Sequence, residues 1–181
     1  MNPRNLAREQ VWHELQKVAR PDSRFHYNFS QVIPDYEGGE EAVHRLVELP
    51  VYQQAKLLFI TPDNNLSYLR RSAINDGKIT IMSTYGINRG FFKITREDVP
   101  PEQETFASTL DGMEQFAHPI SLPEIAQLGR LDLLVTGASA ITLDGIRFGK
   151  GHGFFDLEWA MLREIGVCDG QSPVAAVAHD C

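Results

Sequence analysis

The residues best suited to chemistry lie in a glycine-spaced loop that carries two cations, within 144-DGIRFGKGHGFFDLEWAMLREIG-166. Glycines alternate through 149-GKGHG-153, so backbone N–H groups can approach an anion closely and positive φ angles are available. Arg147 and Lys150 supply positive charge. A helix is predicted to follow directly and to point the positive end of its dipole back at the loop. The pattern therefore predicts a phosphate-binding site.

The predicted helix places Asp156 in its first turn, where a carboxylate suits the dipole and could also hold a cation that bridges phosphates. Neither a Walker loop nor the Rossmann glycine spacing is present. On spacing alone, a glycine-rich turn that merely joins strand to helix, with Asp156 as a capping or dipole residue, is an open alternative. The apolar face of the helix is predicted to consist of Leu157, Trp159, Ala160, Leu162 and Ile165.

A longer run, 132-DLLVTGASAITLDGIRFGKGHGFFD-156, resembles the signature of the 5-formyltetrahydrofolate cyclo-ligase (methenyltetrahydrofolate synthetase) family. That signature is a strand-borne Asp-hydrophobic run followed by G-x-R-x-G-x-G-x-G-Y-Y-D. The likeness covers Arg147, the three loop glycines and Asp156. The chain is similar in particular to the methenyltetrahydrofolate synthase domain-containing branch, through GKG-x-G, DLE and the final HDC.

The resemblance implies a three-layer α/β sandwich with a mostly parallel sheet, similar to sugar-phosphate isomerases and CoA transferases. It also implies ATP and Mg²⁺ as cofactors and a reduced folate as the small-molecule substrate. In the family, ATP phosphorylates the N5-formyl oxygen, the N10 amine attacks the activated carbon, and phosphate leaves to give 5,10-methenyltetrahydrofolate. The expected activity is that of a cyclo-ligase in one-carbon metabolism.

The resemblance also implies which residues form the catalytic and binding site. Arg147 and Lys150 are the expected catalytic cations, and Asp156 is the expected metal ligand. Asp63 and Phe155 are the expected substrate contacts. The first helix of family members carries a Lys/Arg-x-x-x-Arg pair that reaches ATP phosphates, and this pair reads Arg4 and Arg8 here. The expected ATP-binding residues are Arg4, Arg8, Arg147, Gly149, Lys150, Gly151, His152, Gly153 and Phe154.

Several positions depart from the family pattern. Phe154 and Phe155 replace a tyrosine pair, and 136-TGASAI-141 replaces a Pro-Gly run. The segment 61-TPDNNLS-67 has no glutamate where the family supplies one to the folate, and family members usually continue beyond the last predicted strand. Two alternatives therefore stay open: a nucleotide-binding or regulatory domain without folate chemistry, and an ATP-dependent ligase for another small compound.

Length and composition narrow the class of protein. A chain of 181 residues predicts one domain over 1–181, and the resemblance adds that it is truncated at its C-terminus relative to the family. A net charge of −7 argues against a nucleic-acid or anionic-membrane surface. No apolar run approaches the ~18 residues of a membrane span, and the first ten residues lack a signal-peptide core, which predicts a cytoplasmic protein. Cys168 and Cys181 form neither a disulfide framework nor a zinc motif, and the oligomeric state stays open.

The elements that position the loop are predicted from periodicity. Asn2 is a plausible N-cap for an amphipathic helix that runs to about Ala19. Asp132 is predicted to be structural, and a turn around Arg89 is predicted as either a ligand-facing turn or a plain connection. Ser121 and Glu124 predict a capping box. Helices are predicted over 40–48 and 65–75 and from about Pro101, and strands over 56–61, 78–84, 131–137 and 173–179.

Overall fold

The protein is an α/β structure, and the computed structural model describes residues 3–181, with side chains from Leu6 onward. Asn2 and the side chain of Arg4 therefore lie outside the described residues. The helices are α1 (Pro3–Leu15), α2 (Gly39–Val47), α3 (Pro50–Gln54), α4 (Ser67–Asn75), α5 (Glu104–Ala107), α6 (Leu110–Phe116), α7 (Leu122–Leu128) and α8 (Phe154–Glu164). The strands are β1 (Leu57–Ile60), β2 (Ile79–Ser83), β3 (Phe91–Ile94), β4 (His118–Ile120), β5 (Leu133–Gly137), β6 (Ala140–Ile141), β7 (Arg147–Phe148) and β8 (Val174–Val177).

A six-stranded sheet in the order β4-β3-β2-β1-β5-β8 forms the centre of the fold. Strands β2, β1, β5 and β8 pair in parallel, as the apolar strand segments predicted. Strands β3 and β4 extend this sheet in antiparallel pairing, with Phe91 opposite Ile120. The sequence prediction missed these two strands. Strands β6 and β7 form a separate hairpin that leads into the glycine loop.

Helices cover both faces of the sheet, so the predicted three-layer arrangement is confirmed. Alternate residues of β1 point to opposite sides: Leu58 and Ile60 join the core beneath α2, α3 and α4, whereas Leu57 and Phe59 pack toward α7 and α8. All four of these side chains are buried. A third cluster lies around β3, α5 and α6. Among the described residues, no helix combines the length and apolar character needed to cross a membrane.

Several predicted boundaries were wrong for local reasons. The first helix ends at Leu15 rather than near Ala19, where Ala19 instead bridges to Tyr36. The helix predicted from Pro101 is two short helices, because the Thr109 side chain accepts a hydrogen bond from Gly112 N and starts α6 anew. The capping box of Ser121 is confirmed at α7.

Asp132 is structural, as predicted. Its Oδ2 accepts hydrogen bonds from the backbone N–H groups of Lys56 at 2.7 Å and Leu57 at 2.9 Å, at the start of β1. The carboxylate therefore ties the entrance of β1 to the entrance of β5. This leaves the opposite, carboxyl-terminal ends of the parallel strands for ligand binding, as is usual in open α/β sheets.

Candidate functional site

A cavity of about 1030 Å³ lies at the carboxyl ends of the parallel strands. One part of its lining is formed by the residues that follow β1, Thr61 to Asn64. Another part is formed at the end of β2 by Ser83, Tyr85 and Gly86. Thr136 of β5 and the loop 145–153 form a third part, together with the first turns of α8. The predicted phosphate loop and the segment predicted to contact the substrate thus share one cavity.

The glycine loop adopts backbone angles that other residues rarely adopt. Gly151 has a φ of 102° and Gly153 a φ of 71°, both in the left-handed region. Gly153 is also the N-cap of α8, so the free N–H groups at the start of this helix lie beside the loop. A Cβ at residue 151 would lie 3.1 Å from Arg8 Cζ, because α1 approaches the loop closely here.

Arg147 is held by a hydrogen bond to β5 and by an aromatic ring. Its Nη1 donates a hydrogen bond to Gly137 O at 2.9 Å, which links the loop to the end of β5. Its guanidinium carbon lies 5.2 Å from the centre of the Phe155 ring. Phe155 was predicted as a substrate contact, and it lines the cavity and supports this cation.

Lys150 is surrounded by two rings and a carboxylate. Its Nζ lies 5.3 Å from the centre of the Tyr85 ring and 5.7 Å from that of Phe154. The same nitrogen lies 3.8 Å from Asp63 Oδ1. The two phenylalanines that replace the family's tyrosines therefore each lie beside one of the two loop cations.

Arg8 and His152 connect the loop to other parts of the chain. Arg8 Nε donates to Gly149 O at 3.3 Å, so the predicted ATP-binding arginine of α1 does reach the loop. His152 Nε2 lies 2.8 Å from Ser30 O, which attaches the loop to the segment between α1 and α2. Residues of this segment, including Phe25, also line the cavity. The Phe25 ring stacks on Tyr85 with 5.2 Å between ring centres.

Asp63 is nearly buried, with 9% of its surface exposed, and its carboxylate serves contacts within the protein. Oδ2 accepts hydrogen bonds from Thr61 Oγ1 at 2.6 Å and from Gly137 N at 3.1 Å. This approach requires glycine at 137, since a Cβ there would lie 2.7 Å from Asp63 Cβ. With Oδ1 facing Lys150, both oxygens of the predicted substrate contact are engaged.

Asp156 is exposed in the first turn of α8 and lines the cavity, as its sequence position predicted. Its Oδ2 lies 3.7 Å from the position that a Cβ of Gly153 would take, next to the loop. In the part of the chain that the structure describes, no group of three or more His, Cys, Asp or Glu residues could hold a metal ion. A single carboxylate fits Mg²⁺ all the same, because this ion is commonly held by one or two carboxylates together with substrate phosphates.

Glu158 is a cavity residue that the sequence prediction missed. It is only 2% exposed, and its Oε1 accepts a hydrogen bond from Ser83 Oγ at the end of β2. Burial raises the pKa of this carboxyl to about 8; Asp63 adds to the rise, whereas Ser83, Lys150 and Arg147 oppose it. Leu157 and Ala160, which were predicted to face inward, are exposed, and Glu158 occupies the buried face with Leu162.

Arg89 does not face the cavity. Tyr85 and Gly86 of the same turn line the cavity, whereas Arg89 pairs with Glu114 and lies over the Phe92 ring at 5.9 Å. The turn around Arg89 is therefore a plain connection at this residue, the second of the two predicted readings.

Comparisons with known proteins identify the family of this chain. The model of the 5-formyltetrahydrofolate cyclo-ligase family matches residues 1–181. A methenyltetrahydrofolate synthase domain-containing protein of Homo sapiens is 30% identical over 182 residues, and its counterpart in Danio rerio is 29% identical over 178 residues. Each match covers 96% of this chain and 45% of the relative, so the chain spans about half the length of these curated relatives. Since the family model matches the whole length of the sequence, the chain belongs to the 5-formyltetrahydrofolate cyclo-ligase family.

Proposed function

We propose that this protein converts 5-formyltetrahydrofolate to 5,10-methenyltetrahydrofolate with ATP and Mg²⁺. One observation carries the proposal: Arg147, Lys150 and Arg8 meet the glycine loop and the start of α8 in a single cavity. Family membership and the names of the relatives point to folate chemistry. The cations and glycines that line the cavity support nucleotide binding.

The phosphate side of the cavity combines the features that bind anions. Positive-φ glycines and the first N–H groups of α8 offer backbone donors, and the helix dipole favours negative charge at this end. Arg147 and Lys150 add two cations whose positions are supported by aromatic rings. In the proposed complex these groups, with Arg8, hold the ATP phosphates.

In this reaction the protein forms no covalent bond to ATP or to the folate. The N5-formyl oxygen attacks the γ-phosphorus of ATP, the bond to the β-phosphate oxygen breaks, and ADP leaves. The N10 lone pair then forms a bond to the formyl carbon, the carbon–oxygen bond breaks to release phosphate, and N10 loses its proton. Arg147 and Lys150 stabilise the charge on the transferring phosphoryl group, and the loop fixes its position.

Asp156 is the residue that would hold Mg²⁺, which when bound neutralises phosphate charge. Its exposed carboxylate stands at the start of α8, next to the loop. A carboxylate at a helix N-terminus is also favoured by the helix dipole.

The cavity also offers room for the folate. The cavity volume of about 1030 Å³ is as large as that of the largest typical ligand pockets, which range from roughly 300 to 1,000 Å³. It therefore has room for a nucleotide and for part of a second molecule. Phe25 and Tyr85 present stacked aromatic surface there, and Ile33 adds apolar surface. A flat heterocycle is the kind of ligand that such surface binds well.

The test is a spectrophotometric assay of the purified protein with 5-formyltetrahydrofolate, Mg²⁺ and ATP, which follows the near-ultraviolet absorbance of the methenyl product. We expect product only when ATP is present, and we expect Arg147→Ala to lose both turnover and ATP affinity. Arg163→Ala is the matched control, because Arg163 lies in the last turn of α8 and stacks on Trp159 outside the cavity. ATP binding by calorimetry without any product would instead favour a nucleotide-binding domain or a ligase for another substrate.

A further inference from the structure

Glu158 and Ser83 form a buried acid–hydroxyl pair on the floor of the cavity. Glu158 is 2% exposed on α8, and Ser83 is fully buried at the carboxyl end of β2, yet both line the cavity. Ser83 Oγ donates a hydrogen bond to Glu158 Oε1. The pair therefore joins the helix that begins at the phosphate loop to a central strand of the sheet.

Packing alone does not account for this carboxyl. A carboxyl group has about four lone-pair positions, and one hydroxyl satisfies a single one of them. The cations nearest in the loop are turned to other partners: Lys150 to Asp63, and Arg147 to Gly137 O. A buried acid with so few partners is costly, and such groups are typical of binding and catalytic sites.

The helix geometry directs Glu158 and Asp156 to different surroundings. Residues 156 and 158 are two positions apart, which turns their side chains by roughly 200° around an α-helix. Asp156 is exposed beside the loop, whereas Glu158 faces the sheet. A carboxyl group offers acceptor oxygens and no positive charge, so Glu158 suits a part of the ligand that carries hydrogen-bond donors.

We propose that Glu158, oriented by Ser83, recognises N–H donors on the heterocycle of the substrate, and that Asp63 does not have this role. A reduced pteridine ring carries neighbouring N–H and amino groups, which match the acceptor oxygens of a carboxyl. Asp63 lacks this capacity because Thr61, Gly137 and Lys150 already engage its oxygens. This inference rests on the proposed function, since it names the residue that selects the folate.

The experiment measures binding of 5-formyltetrahydrofolate and, separately, of ATP by calorimetry. For Glu158→Leu we expect folate affinity to fall about tenfold or more, because the N–H donors lose their partner in a buried site, while ATP affinity stays within about twofold. For Glu158→Gln we expect a smaller loss, since the amide keeps one acceptor oxygen. Glu164→Gln, an exposed glutamate at the end of the same helix, should bind both ligands as the unaltered protein does.

The outcomes separate this inference from the proposed function. Folate binding that persists in Glu158→Leu and Glu158→Gln overturns the role of Glu158, whatever the catalytic assay gives. Folate binding that depends on Glu158 but yields no product supports this role and contradicts only the proposed reaction. An unaltered protein that does not bind 5-formyltetrahydrofolate overturns both. Thermal unfolding of each variant checks folding, and if Glu158→Leu is unfolded, Glu158→Gln decides.

Discussion

Lys150 and Asp63, 87 positions apart in the sequence, face each other across the cavity with 3.8 Å between Nζ and Oδ1. The predicted phosphate-binding cation is therefore paired with the carboxylate that was predicted to contact the substrate. Both side chains are largely buried, so their attraction is only weakly screened by solvent. In the proposed complex, an ATP phosphate would compete with Asp63 for this ammonium group.

The pairing predicts the effect of Asp63→Asn. Removal of the carboxylate releases Lys150 and takes a negative charge away from the phosphate site, so ATP should bind about three- to tenfold more tightly. We also expect thermal stability to fall modestly, because an amide is a weaker acceptor for Thr61 Oγ1 and Gly137 N. Calorimetry with ATP and thermal unfolding measure the two effects.

Asp169→Asn serves as the control, since Asp169 pairs with Arg130 at 2.8 Å outside the cavity. Its ATP affinity should match that of the unaltered protein. Weaker ATP binding in Asp63→Asn than in this control would contradict the proposed competition and would mean that Asp63 holds Lys150 in its binding position.

Gly151→Ala should weaken ATP binding about tenfold. A φ of 102° is strained for any residue with a Cβ, and the new methyl group would lie 3.1 Å from Arg8 Cζ. The loop must shift to relieve both, which moves its N–H groups and Arg8 away from the phosphates. Calorimetric titration with ATP provides the measurement.

Gly170→Ala is the matched control for this substitution. A Cβ at residue 170 would meet nothing within 4 Å, and Gly170 is not in the left-handed region. Equal ATP affinity in the two alanine variants would show that the backbone at residue 151 is not part of the phosphate site.

Local sequence patterns predicted the parallel centre of the fold and the glycine loop that lines the cavity, because both depend on neighbouring residues. Strands β1, β2 and β5 are short apolar runs, and the loop carries its glycines and cations within a few positions. Strand β4 was not predictable in this way. This strand has only three residues, and one of them is Pro119. It is defined by its pairing with β3, in which Pro119 lies opposite Phe92, 27 positions earlier in the chain.

Sequence patterns predicted only part of the site. Glu158 was missed because an acidic residue does not count toward an apolar face, although it stands four positions before the buried Leu162. The available signal was an acidic residue at a position where the helical period predicts a buried side chain. The pairing of Lys150 with Asp63 had no such signal, since it depends on how β1 and the loop after β7 meet in space.

Asp156→Asn should lower the metal-dependent rate on the order of 10²-fold at saturating ATP, since the amide is a poor ligand for Mg²⁺. Affinity for ATP in the presence of a metal chelator should stay within about twofold of the unaltered protein. Assays over a range of Mg²⁺ concentrations, with calorimetry in chelator, separate the two quantities. A variant with the rate and Mg²⁺ dependence of the unaltered protein would contradict the assignment of Asp156.

We expect Glu158 to lower the free energy of unfolding of the metal-free protein as the pH rises from about 4.5 to about 8. The pKa of this carboxyl is about 8 in the folded protein, against an ordinary value of 4.5. Within this window the folded chain keeps a proton that the unfolded chain has released, so folding takes up a proton and each rise in pH disfavours the folded state. Below 4.5 both states hold the proton, and above 8 neither does.

Glu158→Gln tests this dependence because glutamine does not titrate. We expect its melting temperature to vary less than that of the unaltered protein between pH 5 and pH 8, with the difference between the two curves growing toward pH 8. The comparison is made with chelator and without nucleotide, so that ligand binding does not contribute. Other titrating groups affect both proteins alike and cancel in the difference. Parallel curves across the window would mean that Glu158 is ionised in the folded protein at neutral pH, with Lys150 and Arg147 outweighing the effect of burial.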